Sequence, residues 1–301
     1  MKNKIVITTG DVNGIGAEVT IKALNTLRPK NVVLISNRKI LDFYGGLDFG
    51  CEIIEIPYDS EILPGQVTKE SGEFAFQAVK KACEVGAKAI VTAPISKEAI
   101  QLAGYNFDGH TEILEHYLAR EGQKAEMLFV AGEFRVLLLT RHCALKDIKI
   151  TSDLLKDKIA RLVASLNIEN PKLALCGLNP HAGENGILGC EEKDVIIPTV
   201  LELQKQGVYI TLPLPSDTLF IGASEAFGQG HKIPYDCYVA MYHDQGLIPM
   251  KVIVGKRAVN MTIGLDVIRT SPCHGTAFDI AGKNVADPTS MIEAIRVVAG
   301  V

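Results

Sequence analysis

The stretch KIVITTGDVNGIGAE, residues 4–18, combines a short apolar strand, a glycine-rich turn and the start of a helix. A turn of this kind leaves backbone N–H groups free to approach an anion. The G-x-G-x-x-G spacing of a dinucleotide fingerprint is absent from it. The glycines are therefore explained as well by a tight strand-to-helix turn as by contact with a ligand.

Beyond this stretch, apolar runs rich in β-branched residues alternate with amphipathic helical patterns. This alternation predicts an α/β protein with a mostly parallel sheet and helices on both faces, an α/β/α arrangement. Ligands then belong at the carboxyl ends of the strands. The predicted strands are 4–8, 31–35, 89–92, 134–139, 172–176, 237–241 and 259–263, and the predicted helices are 14–25, 71–86, 111–120, 151–167 and 191–206.

The chain length favours two lobes around a cleft, because 301 residues exceed the roughly 100 to 200 of a usual domain. A hydrophobic content of 47% is enough to bury a sizeable core. The sequence contains no Gly/Ser/Pro linker between two halves, so we expect the lobes to share the sheet or to exchange chain. We place residues 1–124 and 256–301 in the first lobe and residues 125–255 in the second.

The charge balance argues against two classes of partner. A net charge of -4 and a pI near 6.0 provide no electrostatic footprint for nucleic acid or for an anionic membrane surface. No apolar run reaches the roughly 18 to 20 residues that span a bilayer, and the first residues carry no signal-peptide core. We therefore expect a cytoplasmic protein, whose seven cysteines, without a C-x-x-C pair, are reduced thiols.

Histidines give the clearest chemical signal. His142, His181 and His243 each follow a different predicted strand, in short polar neighbourhoods. Each alone is better explained as a structural histidine. Together, at strand ends that converge on one edge, three imidazoles can hold a divalent ion and leave coordination positions open. The residues alone do not exclude His110 or His274, which lie in similar settings, from such a site.

Other polar side chains offer complementary roles. Asp217 and Asp244 are candidates to complete a ligand shell, orient a histidine or accept a proton. Asp217 is explained equally well as a helix cap or turn residue. The candidates for binding a phosphate or carboxylate are His110, Thr111, Lys251, Asn260 and Arg269. A lone lysine or arginine is usually a solvated surface charge, and Lys251 and Arg269 are singled out because we expect them to follow strands.

Several of these segments resemble the 4-hydroxythreonine-4-phosphate dehydrogenase family, from about Ile5 to Ile295. The resemblance implies that His142, His181 and His243 occupy metal-ligand positions and that Asp217 matches a carboxylate beside the metal. It also implies substrate-binding positions at His110, Thr111, Lys251, Asn260 and Arg269. The motifs that carry it are GDVNGIGAE (10–18), GHTE (109–112), GLNPHAGE (177–184), PLPSDTLF (213–220) and MYHDQG (241–246).

The segment HGTAFDIAGKNVADP, residues 274–288, resembles the adenine-side loop of isopropylmalate and isocitrate dehydrogenases. The likeness implies a nicotinamide cofactor held by this loop, a shared two-lobed fold with the active site in the interlobe cleft, and a homodimer with the active site at its interface. The second lobe is the expected dimer interface. Cofactor-binding positions are then His274, Gly275, Thr276, Asp279 and Asp287. The charge of Asp287 would disfavour the 2′-phosphate of NADP.

The expected function is the NAD(P)-dependent oxidation of 4-phosphooxy-L-threonine in pyridoxal 5′-phosphate biosynthesis, giving a 3-keto acid that decarboxylates to 3-amino-2-oxopropyl phosphate. The alternative substrate is 4-phospho-D-threonate or 4-phospho-D-erythronate. Zinc, cobalt, nickel, magnesium and manganese all remain possible metals. A phosphate acyltransferase and a non-catalytic metal-binding protein are the rival classes. The chain departs from the family pattern at Ala17, at Arg141, where a small hydroxyl residue is common, and at Pro272-Cys273.

Overall fold

The computed structural model of the protein describes residues 4–299. These residues form two compact units. The first contains the chain up to residue 125 and from residue 259 onward, and the second contains residues 126–258. Residues 1–3, 300 and 301, which we expected in the first lobe, lie outside the described part.

The first unit is built on a sheet of short, buried strands. Its strand order is β3-β2-β1-β4-β10-β9, and every neighbouring pair is parallel except β10 with β9. The strands are β1 (Ile5–Thr8), β2 (Val32–Ser36), β3 (Glu52–Glu55), β4 (Ala89–Thr92), β9 (Val259–Ile263) and β10 (Ile268–Pro272).

Helices of the first unit pack their apolar residues onto this sheet. The side chains of Val6, Val33, Ile90 and Leu114 are at most 1% exposed and lie in one core cluster. Such burial is the main source of stability for short strands. The helices are α1 (Gly16–Leu27), α2 (Arg38–Phe43), α3 (Lys69–Glu84), α4 (Lys97–Leu102), α5 (His110–Leu118) and α11 (Thr289–Ala299).

The second unit carries the order β5-β6-β8-β7. Strands β5 and β6 form an antiparallel hairpin, whereas β6, β8 and β7 run parallel and so end at the same edge. A π-helical turn, Glu192–Ile196, leads into α7. The elements are β5 (Glu126–Ala131), β6 (Phe134–Leu138), β7 (Leu173–Leu175), β8 (Cys237–Ala240), α6 (Ser152–Ser165), α7 (Ile197–Lys205), α8 (Ser216–Leu219), α9 (Ile221–Gln229) and α10 (His243–Val254).

The α/β class and the mostly parallel sheet are confirmed, but some elements escaped the sequence analysis. Strand β10 has the polar sequence IRTSP, and α10 contains Gly246 and Pro249, which are poor signals for a strand and a helix. The expectation that Lys251 and Arg269 follow strands is therefore wrong. Lys251 lies in α10 and Arg269 lies inside β10. No helix within residues 4–299 is long and apolar enough to cross a membrane.

Candidate active site

Two of the predicted metal histidines emerge side by side in the second unit. Strand β6 leads to His142 and the parallel neighbour β8 leads to His243, the first residue of α10. Their ring centroids are 5.7 Å apart. Both rings line a pocket of about 360 Å³. The strand register therefore brings these two imidazoles to one place, as the sequence predicts.

The third histidine, His181, lies on a turn of unusual backbone conformation. Residues 181–185 all have positive φ angles, between 42° and 80°. Only one of the five is a glycine, and a left-handed conformation costs a non-glycine residue roughly 1 to 2 kcal/mol. The turn is held by Glu192, which is buried and accepts hydrogen bonds from the backbone N–H of Asn179 at 2.7 Å and from its Nδ2 at 2.9 Å. Stored strain of this kind is concentrated at functional sites.

Two of the histidines are oriented by carboxylates. Nδ1 of His181 lies 2.6 Å from Oε1 of Glu184, and Nδ1 of His243 lies 2.7 Å from Oδ1 of Asp244. The hydrogen bond and the charge of Glu184 raise the pKa of His181. A carboxylate on Nδ1 leaves Nε2 as the free nitrogen, the usual arrangement around a metal-ligating histidine.

The donor set fits a divalent ion in its chemistry. Imidazoles with carboxylates behind them suit zinc, cobalt or nickel. Within residues 4–299, however, no three His, Cys, Asp or Glu side chains lie close enough together to hold an ion as they stand. His181 lies on its own loop, near enough to Asp217 for that charge to contribute to its raised pKa. The three-histidine ligand set stays a prediction.

Asp217 is the second residue of α8 and is exposed. The N-terminus of this short helix has no side-chain cap, so helix capping does not explain Asp217. The carboxylate is thus available for a role toward His181 or toward a ligand.

Gln245 connects three segments of the candidate site. It lies in the motif MYHDQG (241–246), but the sequence does not mark it as a functional residue. Its Oε1 accepts the backbone N–H of Met241 at 2.7 Å. Its Nε2 donates to the carbonyl of Gly177 at 2.7 Å and to Oγ of Ser216 at 2.9 Å. These three partners immediately precede the segments that carry His243, His181 and Asp217. One amide therefore fixes the starting points of all three.

In the first unit, Arg269 is a buried cation without an acidic partner. Its side chain is 2% exposed, and both Nε and Nη2 donate to Oγ1 of Thr92, at 2.8 and 2.6 Å. No carboxylate within residues 4–299 lies at ion-pair distance from it. Burial lowers the pKa of Arg269 to about 9. A buried charge without a partner is costly, so this arginine is poised to receive an anion.

Two further polar atoms near Arg269 lack partners. Nε2 of His110 and Oδ1 of Asn260 are both buried, and neither has a hydrogen-bond partner among residues 4–299. Burial and the charge of Arg269 lower the pKa of His110 well below its usual value, so the ring is neutral. Asn260 pairs across the sheet with Ser271 and so shares a face with Arg269. Of the predicted substrate residues, His110, Asn260 and Arg269 gather in this unit beside the buried Thr111, whereas Lys251 is exposed in the second unit.

The loop 274–288, predicted to hold the cofactor, packs on the glycine-rich turn. The N–H of Ile15 donates to the carbonyl of Thr276 at 2.9 Å. A Cβ on Gly14 would lie 3.0 Å from Cβ of Thr276, so close packing alone accounts for that glycine. Asp287 caps α11 by accepting the N–H of Thr289 at 2.9 Å. Gly275 and Asp279 are exposed, and Nε2 of His274 is buried without a partner.

A second pair of side chains holds this loop from α1. Buried Glu18 accepts the N–H of Ala286 at 2.8 Å and the ammonium of Lys22 at 2.7 Å. Nζ of Lys22 also donates to the carbonyls of Asn284 and Ala286, both at 3.1 Å. No local pattern predicts this connection, because Glu18 and Ala286 are 268 residues apart in the chain.

Comparison with known proteins decides the family. The sequence model described as "Pyridoxal phosphate biosynthetic protein PdxA" matches residues 4–298. The chain belongs to the PdxA family. This PdxA-family chain is 40% identical to a 4-hydroxythreonine-4-phosphate dehydrogenase from Sulfurihydrogenibium sp., over 97% of this chain and 96% of the relative. It is 39% identical to a D-threonate 4-phosphate dehydrogenase from Cupriavidus necator, over 97% and 95%.

A crystal structure agrees with this assignment. The 4-hydroxythreonine-4-phosphate dehydrogenase from Klebsiella pneumoniae superimposes with a TM-score of 0.85 at 33% identity, and the match covers 99% of each chain. The PdxA-family protein is therefore an oxidoreductase of the 4-hydroxythreonine-4-phosphate dehydrogenase type, and membership in a dehydrogenase family implies a nicotinamide cofactor and a phosphorylated substrate. Assignment to this family removes the acyltransferase alternative.

Proposed function

We propose that this enzyme oxidises the C3 hydroxyl of a four-carbon acid that carries a phosphate on C4, with a divalent metal and NAD(P). The observation that carries the proposal is Arg269, a guanidinium that is 2% exposed. It has two hydrogen bonds to a threonine and, among the residues that the structure describes, no carboxylate at ion-pair distance. A buried cation of this kind calls for an anionic ligand, which a phosphorylated acid supplies.

The residues around Arg269 suit an anionic group of the substrate. Neutral His110 and the amide of Asn260 each carry a buried atom without a partner, so hydrogen bonds to a ligand would replace contacts that the protein leaves unmade. Thr111 adds a hydroxyl beside His110. Lys251 is the fifth residue that the sequence predicts to bind the substrate. In this proposal these five residues bind and orient the substrate.

His142, His181 and His243 would hold the metal. A divalent ion there would supply Lewis acidity, which lowers the pKa of a hydroxyl. Glu184 and Asp244 keep Nε2 of two of these rings free. Asp217 is the proposed base that takes the proton of the C3 hydroxyl, since it is exposed and makes no cap. Zinc, cobalt and nickel fit the imidazoles best, and carboxylates nearby also allow magnesium or manganese.

The loop 274–288 would hold the nicotinamide cofactor through His274, Gly275, Thr276 and Asp279. A nicotinamide bound there would supply the oxidant, accepting the hydride from C3 as the alcohol becomes a ketone. The product is a β-keto acid and loses carbon dioxide. Asp287 favours NAD over NADP by like-charge repulsion with a 2′-phosphate, although its carboxylate also caps α11.

Two substrates satisfy this description. The first is 4-phosphooxy-L-threonine, whose oxidation and decarboxylation give 3-amino-2-oxopropyl phosphate for pyridoxal 5′-phosphate biosynthesis. The second is 4-phospho-D-threonate, and 4-phospho-D-erythronate belongs to the same class. A relative named D-threonate 4-phosphate dehydrogenase is 39% identical to this chain, against 40% for a relative named 4-hydroxythreonine-4-phosphate dehydrogenase. The candidate substrates differ at C2, which carries an ammonium in the first and a hydroxyl in the others.

We further propose a homodimer that forms through the second unit. Helix α10 presents Ile248 and Val252, which are 61% and 79% exposed, and Ile221 of the neighbouring α9 is 53% exposed. Exposed apolar clusters of this kind mark protein interfaces. Sedimentation of the purified chain should give twice the monomer mass, and a monomer would contradict this assignment.

Turnover assays test the proposed reaction. The protein is incubated with NAD or NADP, one added divalent metal, and each phosphorylated acid or its unphosphorylated counterpart. We expect reduced nicotinamide only with phosphorylated acids and only with metal. Equal rates with unphosphorylated acids would contradict the assigned role of Arg269, and no turnover with any of the acids would contradict the function.

A further inference from the structure

Arg141 is a cation in the wall of the histidine pocket that no part of the proposed reaction uses. It lies between the end of β6 and His142, and it lines the same pocket as His142, Tyr242, His243 and Asp244. The residue is half-buried. Within residues 4–299 its guanidinium has no hydrogen-bond or ion-pair partner.

The acidic residues beside Lys158 already have cationic partners. Glu126 accepts Lys158 at 2.6 Å and Arg161 at 2.9 Å. Asp157 accepts Arg161 at 3.1 Å. Burial lowers the pKa of Lys158, and the charge of Arg141 contributes in the same direction, so Arg141 lies within electrostatic range of that ammonium.

One acidic residue, Asp244, lines this pocket. Its Oδ1 contacts Nδ1 of His243 at 2.7 Å and its side chain is 72% exposed, so among the described residues it makes no ion pair with Arg141. The guanidinium of Arg141 therefore keeps its hydrogen-bond donors free where it lines the pocket. Such a surface attracts anionic and hydroxyl groups and repels ammonium groups.

The two candidate substrates differ in the charge of the group at C2. An L-threonine derivative brings an ammonium at C2 next to its carboxylate, whereas a threonate brings a hydroxyl there. A guanidinium can donate to a carboxylate and a hydroxyl together, but it cannot donate to an ammonium, which has no acceptor. Discrimination between the two acids then has an attractive part, the hydrogen bonds to the carboxylate and hydroxyl, and a repulsive part, the like charge of the ammonium.

Building on the proposed function, we propose that Arg141 is a specificity-determining residue and that this enzyme acts on a 4-phosphorylated 2,3-dihydroxy acid of the threonate class in preference to the 2-amino acid. Arg141 binds the carboxylate and the C2 hydroxyl of the substrate. The amino acid is the poorer substrate because its ammonium meets the like charge of the guanidinium and cannot accept a hydrogen bond from it.

The test compares kcat/KM for 4-phospho-D-threonate and 4-phosphooxy-L-threonine on the full-length, metal-loaded protein. The wild type should favour the threonate by about tenfold or more. Arg141→Gln, which removes the charge at similar length, should reduce that ratio by about tenfold, mainly through KM. Arg141→Lys should keep most of the preference. Arg135→Gln, in the strand β6 that leads to Arg141, is the matched control and should leave the ratio unchanged.

The outcomes separate this proposal from the proposed function. Turnover of both acids with a ratio that Arg141→Gln leaves unchanged would overturn the role of Arg141 and leave the dehydrogenase intact, as would a wild-type preference for the amino acid. If neither acid is oxidised, the proposed function fails. In that case calorimetry measures the Kd of each acid for the wild type and for Arg141→Gln. A ratio of the two Kd values that Arg141→Gln leaves unchanged would overturn the role of Arg141.

Discussion

The side-chain amide of Gln245 donates a hydrogen bond to the backbone carbonyl of Gly177 at 2.7 Å. This contact joins α10, which begins with His243, to the end of β7, from which the His181 turn departs. Gln245 also contacts Ser216 and Met241. The relative positions of the proposed metal ligands thus depend on one uncharged residue.

Gln245→Met should weaken both stability and metal binding. The substitution leaves the carbonyl, hydroxyl and N–H partners of Gln245 without their hydrogen bonds, at a cost of ~1 to 3 kcal/mol. We expect Tm to fall by roughly 4 to 10 °C and the metal Kd to rise about tenfold. Gln204→Met is the matched control, because Gln204 donates to a carbonyl away from the histidines, that of Ile210 at 2.7 Å. A lower Tm with unchanged metal Kd would contradict a positioning role.

Arg269→Met should separate stability from activity. The variant removes a buried charge that has no acidic partner, so its Tm should equal or exceed that of the wild type. Loss of an anion-binding cation should reduce kcat/KM by roughly 100-fold. Arg161→Met is the opposite case, because Arg161 pairs with buried Glu126 and its loss should lower Tm. A large loss of stability in Arg269→Met would show that Arg269 serves the fold instead.

Asp11 should make stability depend on pH. Burial raises its pKa from 3.8 to about 6, so the folded protein binds this proton more tightly than the unfolded chain does. Its contribution to stability is complete below pH 3.8 and is lost as the pH rises through about 6. At ~1.4 kcal/mol per pKa unit the loss is ~3 kcal/mol.

Asp11→Asn has similar shape and no charge, so it tests this dependence directly. Asn can still accept the N–H of Asn13, as Asp11 does at 2.9 Å. The variant should be more stable than the wild type at about pH 7, and the difference should vanish near pH 4. Denaturant unfolding at a series of pH values measures it. A difference that is constant with pH would mean that Asp11 does not titrate in this window.

Lys22→Met should loosen the loop 274–288 without changing the reaction itself. The variant removes the ammonium that donates to the carbonyls of Asn284 and Ala286. We expect KM for the nicotinamide cofactor to rise about tenfold and kcat to stay within about twofold. Lys81→Met, which breaks an exposed pair with Glu84, should change neither. An equal effect on the phosphorylated acid and the cofactor would argue against a role specific to this loop.

The sequence predicted the positions of residues that follow strongly apolar strands. The sequence singles out His142 and His243 because β6 and β8 are mostly apolar runs followed by polar residues, and the structure pairs these strands. The sequence indicates Arg269 as a candidate anion ligand but predicts that it follows a strand. The polar sequence of β10 is a poor signal for a strand, so the position of Arg269 inside one was not predicted. The structure shows that its burial, not its position in a loop, makes it a candidate.

Contacts between distant segments could not be predicted from the sequence. Gln245 belongs to a motif that was quoted for its histidine, yet its three partners become neighbours only when β7 and β8 pair. The left-handed turn at 181–185 has only a weak local signal, because Gly183 and Asn185 tolerate positive φ whereas Ala182 and Glu184 do not. Such features depend on tertiary packing that pattern analysis does not contain.

The most direct test of the central claim is the formation of NADH from a 4-phosphorylated four-carbon acid by wild type and His181→Ala, each with added divalent metal and with EDTA. We expect turnover that EDTA abolishes and metal restores in the wild type, near-zero turnover in His181→Ala, and wild-type behaviour in the control His231→Ala. Turnover that persists in EDTA, or a His181→Ala variant as active as the wild type, would contradict a metal-dependent dehydrogenase built on these histidines.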